Sequence, residues 1–390
     1  MEQRRTIYLD HAATTAVHPE VVQAMLPYFS ERYGNASSLH TLGREARDAL
    51  EQARADVAGI LNCDPEEIVF TSCGTESDNL ALRGIAWNNR PRGDHIITSA
   101  IEHHAVGHTC EQLEREFGFE VTYLPVDEHG LVDPVDVERA IAETTVLISI
   151  IYANNEVGTI EPIAEIGEIA RSRGIPFHTD AVQAAGALSL DVQELNVDLL
   201  TLSGHKFYGP KGVGLLYARD GMEILPVQTG GGHERGLRSG TENVAGIVGL
   251  AAALKLAEER RQEESQRMTE LRNRLVEGVL SSVSHCRLLG HPDKRLPNNV
   301  SIAFEYVEGE GILMGLDLEG IAASSGSACS TGSSEPSHVA TALGVPPEVA
   351  RGSIRMTLGH ENTEKDVERV LEVLPGVVER LRGMSPLYSG

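Results

Sequence analysis

Asp198-Leu-Leu-Thr-Leu-Ser-Gly-His-Lys206, continuing into Phe207-Tyr-Gly-Pro-Lys-Gly212, decides how this chain is read. Leu199 to Leu202 is a short apolar run of the length of a buried strand. It ends in Ser203, Gly204, His205 and Lys206, three polar side chains and a glycine. A lysine just beyond a buried strand is partly withdrawn from water, which lowers its pKa and frees its amine as a nucleophile. The run before it, Ile175-Pro-Phe-His-Thr179, ends in Asp180 and leads through Ala181-Val-Gln183 into a stretch expected to be helical as far as Val197. The right-handed crossover of such a strand–helix–strand unit places both strand ends on one edge of a parallel sheet. Acid and lysine then face one crevice, where open α/β sheets bind ligands.

That pair suits pyridoxal phosphate, which needs a lysine to hold it covalently and an acid for its ring nitrogen. Earlier in the chain the same pattern repeats. Ile68-Val-Phe-Thr-Ser72 runs into Cys73-Gly74-Thr75-Glu76 and at once a helix, small residues whose exposed N–H groups suit a phosphate. Ile96 to Ala100 leads to His103, and Val146 to Tyr152 leads to Asn154-Asn155-Glu156. Five predicted strands thus end in hydrogen-bonding residues: Thr75, His103, Asn155, Asp180 and Lys206. Five along one sheet edge read as a site. Gly230-Gly-Gly-His-Glu-Arg-Gly-Leu-Arg-Ser-Gly-Thr241 is a long polar loop, either a second anion site using Arg235, Arg238 and Thr241 or a plain connection.

A chain of 390 residues exceeds what one core usually serves. A large α/β domain with a mostly parallel sheet is expected over 16–258, and a smaller α+β domain from 1–15 and 259–390. The boundary falls where the helix from Val244 to about Ser281 becomes densely charged, between Glu258 and Arg267. A net charge of −24 argues against nucleic-acid or anionic-membrane binding. Five cysteines without close pairing point to a reducing compartment. With no apolar leader or spanning segment, a cytoplasmic protein is expected.

Cys329 stands apart from the other cysteines. It lies in Ser324-Ser-Gly-Ser-Ala-Cys329-Ser-Thr-Gly-Ser-Ser-Glu-Pro-Ser337, small residues that give it exposure and freedom to move. Cys63, Cys73, Cys110 and Cys286 sit among apolar or helix-forming neighbours and read as inert. His104 and His108 are spaced four apart, yet no third ligand stands at a metal-site spacing. An imidazole from this cluster lying on the cofactor ring is the better use. Arg355 either pairs structurally or holds a substrate carboxylate bidentately.

With Lys206, Asp180 and Cys329 in place, the chain resembles the cysteine desulfurases of the nitrogen-fixation and iron–sulfur assembly type, fold-type I pyridoxal-phosphate enzymes with an aspartate-aminotransferase-like architecture. The resemblance rests on Tyr8-Leu-Asp-His-Ala-Ala-Thr-Thr15, Phe70-Thr-Ser-Cys-Gly-Thr-Glu-Ser77, Asn154-Asn-Glu156, His178-Thr-Asp-Ala-Val-Gln183, Ser203-Gly-His-Lys206 and Ser324-Ser-Gly-Ser-Ala-Cys329. It implies that Lys206 carries the cofactor and moves the Cα proton, that Asp180 meets the ring nitrogen and that His103 stacks on the ring. Asn155 and Gln183 hold the phenolic side of the ring. Gly74, Thr75, Ser203 and His205 take the phosphate, with Thr241 reaching in from the second copy of a homodimer. Arg355, beside Asn155, takes the carboxylate of L-cysteine. Cys329 attacks the substrate sulfur and leaves as a persulfide, releasing L-alanine. The sulfur then goes to an iron–sulfur scaffold or another acceptor protein. No intrinsic metal is implied, although Cys329 would be able to ligate a 2Fe-2S cluster transiently. The long loop around Cys329 resembles the branch with a mobile persulfide carrier, while the short C-terminal tail leaves the acceptor open. The same fold also serves aminotransferases and selenocysteine lyases.

Overall fold

Strand β1 (Ile7–Tyr8) precedes seven strands that form one sheet: β2 (Ile68–Thr71), β3 (His95–Ser99), β4 (Glu120–Leu124), β5 (Thr145–Ser149), β6 (Phe177–Asp180), β7 (Leu199–Ser203) and β8 (Gly214–Ala218). The computed structural model describes residues 5–325, 336–385 and 388. The sheet order is β2-β8-β7-β6-β5-β3-β4, with β8 antiparallel to both neighbours and every other pairing parallel. Helices cover both faces, so these strands read as near-continuous apolar runs. Neighbouring side chains split between the faces: Ile96, Leu147 and Leu199 enter one core, and Ile97, Ile148 and Leu200 the other.

The stretch from Ala181 to Val197, expected to be helical, is a series of turns. Gly186 and Asn196 adopt positive φ, and the Asp191 carboxylate accepts the N–H groups of Gln193 and Glu194. Such short polar side chains offer the backbone an alternative to helix. The parallel pairing of β6 with β7 survives, because crossover handedness does not require a regular helix.

Strands β9 (Cys286–Leu288), β10 (Asn299–Phe304), β11 (Ile321–Ala322) and β12 (Ser353–Thr357) belong to a second core. There β12-β10-β9 is an antiparallel sheet, and β1 pairs with β11. One helix of 39 residues, Val244–Ser282, runs about 58 Å by its rise and joins both cores. Ile247, Leu250 and Leu254 enter the first core, and Leu271, Leu275 and Val279 the second.

The 230–241 loop closes the outer edge of β2. Glu234 accepts the Phe70 N–H at 2.8 Å, while Arg54 and Arg235 each donate to the Ile68 carbonyl at 2.6 Å. An edge covered in this way offers no free ladder groups to another strand. Glu234 and Arg235 both take left-handed φ, held there by a buried ion pair of Glu234 with Arg54 at 2.8 Å. Arg238 is bonded to Glu76 at 2.8 Å. Arg235 and Arg238 thus each give part of their guanidinium to contacts within the fold.

Candidate active site

The C-terminal ends of β2, β3, β5, β6 and β7 open on one cleft of about 410 Å³. Thr75, His103, Asn155, Asp180 and Lys206 line it together, as do Gly74, Gln183, Ser203, His205 and Arg355. Thr241 is exposed and does not line the cleft of its own chain. Cys329, with Gly326 and Gly332, lies outside the described residues. The segments flanking it reach the cleft wall. Ser324 and Arg355 exchange backbone hydrogen bonds, and Ser337 donates to the Glu156 carboxylate at 2.5 Å.

Lys206 follows β7 on a tight turn and bends under the N-terminal segment. Its Nζ donates to the carbonyls of Ala12 at 2.6 Å and Ala13 at 2.9 Å. Thr15 fixes that segment by donating its N–H to the His205 carbonyl at 2.9 Å. Gln183 Nε2 also donates to Ala12 O, at 3.0 Å. Asp180 ends β6 fully enclosed, and its carboxylate accepts the Val182 N–H at 2.9 Å. Burial raises it to about 6, against the lowering effects of Val182 and Lys206.

Gly74 begins a helix of sixteen residues whose N-cap, Cys73, supplies no side-chain cap. First-turn N–H groups left in this way form an anion seat. A Cβ on Gly74 would stand 2.9 Å from Val182 Cγ2, so only glycine leaves that seat open. The first-turn acid Glu76 is turned to Ser72 and Arg238, not to the seat. With Asp180 across the floor, these residues fit a planar, phosphate-bearing pyridine.

His103 Nδ1 accepts the Ala105 N–H at 3.1 Å, so its proton sits on Nε2. Burial, then the Lys206 charge, lowers it to about 4, which keeps the ring neutral. Among the described residues, Asp78, His103 and Asp180 form the one group with metal-like spacing. A protonated Nε2 has no lone pair to give, so the trio does not suit a metal. His104 stacks on His108 with ring centroids 4.5 Å apart, and the fold adds His338 at 4.8 Å. Their nitrogens do not converge as a ligand set.

Arg355 pairs within the fold and also lines the cleft. Its Nη1 donates to Asn155 O at 3.0 Å and its Nη2 to Asp10 at 2.8 Å. Its buried Nε has no partner among the described residues. Cys73, read as inert, is part of the cleft wall. Cys63 does fit that reading, its thiol pushed up to about 12 by burial. Burial also raises Cys110 and Cys286. Asp78 and Asp10, which also face this region, carry no strand-end signal in the sequence. Asp78 is hidden inside a helix, and Asp10 lies in a loop that only the fold brings to Arg355.

Residues 7–370 match the family model described as Aminotransferase class-V. A protein named Cysteine desulfurase IscS from Methanosarcina thermophila is 55% identical over 385 residues, 99% of this chain and 95% of its own. A solved NifS-like protein superposes with a TM-score of 0.91 at 40% identity, covering 96% of this chain and all of the other. A structure titled SspA in complex with cysteine gives 0.80 at 40% identity over 90% of this chain and 99% of its own. The chain belongs to the class-V aminotransferase family.

Proposed function

We infer that this protein is a pyridoxal-phosphate-dependent cysteine desulfurase, taking sulfur from L-cysteine and releasing L-alanine. The observation that carries the reading is the convergence of Lys206, Asp180, His103 and Arg355 on one cleft beside an open helix N-terminus. Near full-length similarity to proteins named cysteine desulfurase supports it.

Gly74, Thr75, Ser203 and His205 would hold the phosphate, Asp180 the ring nitrogen and Lys206 the covalent link. When bound, pyridoxal phosphate supplies an electron sink for negative charge at the substrate Cα. The protein's own groups do the rest. Arg355, its guanidinium already fixed by Asp10 and Asn155, would take the substrate carboxylate. Lys206 Nζ takes the Cα proton. Neutral His103 offers Nε2–H as a donor over the cleft. The Cys329 thiolate attacks the substrate sulfur; an S–S bond forms as the Cβ–S bond breaks. The electron pair stays with the carbon skeleton, which takes a proton and leaves as L-alanine. Cys329 keeps the sulfur as a persulfide.

In this reading the active unit is a cytoplasmic homodimer in which Thr241 completes the neighbouring phosphate seat. Residues 16–258 carry the cofactor, and 1–15 with 259–390 carry the sulfur. An iron–sulfur scaffold or another acceptor protein then takes the sulfur. Purified protein loaded with pyridoxal phosphate should turn L-cysteine into equal amounts of alanine and, with a reducing thiol present, sulfide. Pyruvate or a keto acid in place of alanine would overturn the assignment.

A further inference from the structure

Asp78 lies on the helix that begins at Gly74, with its side chain turned into the cleft floor. It is 1% exposed, and its Oδ1 has no hydrogen-bond partner among the described residues. Its carboxylate lies with those of Asp180 and a ring nitrogen of His103 inside one 4.8 Å cluster.

His178 Nε2 is 3.6 Å from Asp78, but that ring is clamped between the hydroxyls of Ser149 at 2.8 Å and Thr201 at 3.1 Å. Full burial lowers His178 to about 3, so it is neutral. The other titratable groups facing Asp78 are Asp180, Glu102 and Cys73. His103 is neutral, as its hydrogen bond to Ala105 and its burial require. The nearby charge of Lys206 acts on Asp180, which also has the Val182 N–H.

Two carboxylates confined this closely away from water do not both ionise. Asp180, with the Val182 N–H and the Lys206 charge, keeps the negative charge, and Asp78, with only the Thr201 hydroxyl, keeps the proton. We propose that Asp78 is a standing carboxylic acid, the proton-bearing half of a one-proton pair with Asp180, leaving Asp180 as the single negative charge of that pair. Burial first and the Asp180 charge second push Asp78 well above the carboxylate range, with Thr201 opposing. Asp78 is thus a positioning residue: it fixes the charge offered from below. Its meaning for catalysis rests on the reading of the cleft as a pyridoxal-phosphate seat, where one ring N–H would meet one carboxylate.

The test begins with the cofactor-free protein, so that it does not depend on that reading. Infrared difference spectra with and without ¹³C-aspartate should show a label-sensitive carboxylic-acid C=O band between about pH 7 and 8, above the range in which Asp180 takes up a proton and where a buried neutral acid outlasts its free pKa. The band should be absent from Asp78→Asn and present in Asp180→Asn, which decides the matter if one variant fails to fold. The pH midpoint for uptake of added pyridoxal phosphate should stay in place in Asp78→Asn, because one neutral group replaces another. No band in the unaltered protein, a band surviving in Asp78→Asn, or a midpoint lowered by about one pH unit or more would overturn the proposal, the last because removing a nearby charge shifts a neighbour by that order. If the band behaves as expected but no pyridoxal phosphate binds, the cofactor reading fails and the proton assignment stands.

Discussion

Arg355 Nη2 lies 2.8 Å from the Asp10 carboxylate, joining strand β12 to the N-terminal segment that also covers Lys206. Arg355 is 3% exposed at its side chain and Asp10 21%, so the pair is partly shielded from water. A guanidinium held from two sides is fixed in place without having to be ordered by substrate. Arg355→Ala should lower kcat/KM for L-cysteine by about 10- to 100-fold, the value of a charge-assisted contact of about 1.5–3 kcal/mol. Asp10→Asn should raise KM by a smaller factor and leave the cofactor spectrum unchanged. Equal loss with cysteamine, which has no carboxylate, would show that Arg355 does not bind that group.

Stability of the cofactor-free protein should fall as pH rises from 6.5 to 8. Glu102 and Glu161 are both raised to about 8 by burial. Their folded pKa lies above the unfolded value, so the folded state binds more protons in this window and loses stability as they ionise. The buried histidines, lowered in the folded state, act only below about 6.5, their unfolded value. Glu102→Gln should flatten part of the slope of melting temperature against pH. An unchanged slope would mean that Glu102 is already ionised at neutral pH.

Glu234 should matter for folding more than for chemistry. Its ion pair with Arg54 has both side chains below 5% exposure, and Glu234 also caps the edge of β2. Glu234→Ala should destabilise the protein by about 3–5 kcal/mol, the cost of stranding a buried charge. Denaturant titration measures this directly. A change below 1 kcal/mol, the ordinary worth of an exposed pair, would mean that water reaches Arg54 once the carboxylate is gone.

The lining of the cleft was legible because its residues sit where strands end: Thr75, His103, Asn155, Asp180 and Lys206 follow apolar runs that announce buried strands. The crossover after Asp180 was not legible as turns, since its alanines and leucines favour helix while Gly186, Asp191 and Asn196 break it locally. The long helix from Val244 was legible, and its charged middle, Glu258 to Arg267, lies between the residues it gives to the first core and those it gives to the second. Asp78 and Asp10 act through contacts with residues about 100 and 345 positions away, and no local pattern encodes those.

If Thr241 serves the neighbouring copy, Lys206→Ala and Thr241→Ala subunits should complement each other. Each hybrid dimer holds one site with both residues intact, so mixing two weak or inactive proteins should restore activity. No recovery in verified hybrids would place Thr241 outside the phosphate seat.

In the proposed reaction Lys206 and Asp180 prepare the substrate and Cys329 removes its sulfur. Alanine formation by Cys329→Ala measures this most directly. The variant should keep its cofactor absorption and still change it on adding L-cysteine, yet form no persulfide and essentially no alanine. Alanine released at a rate near that of the unaltered enzyme would contradict the account, because the cysteine would then be a bystander.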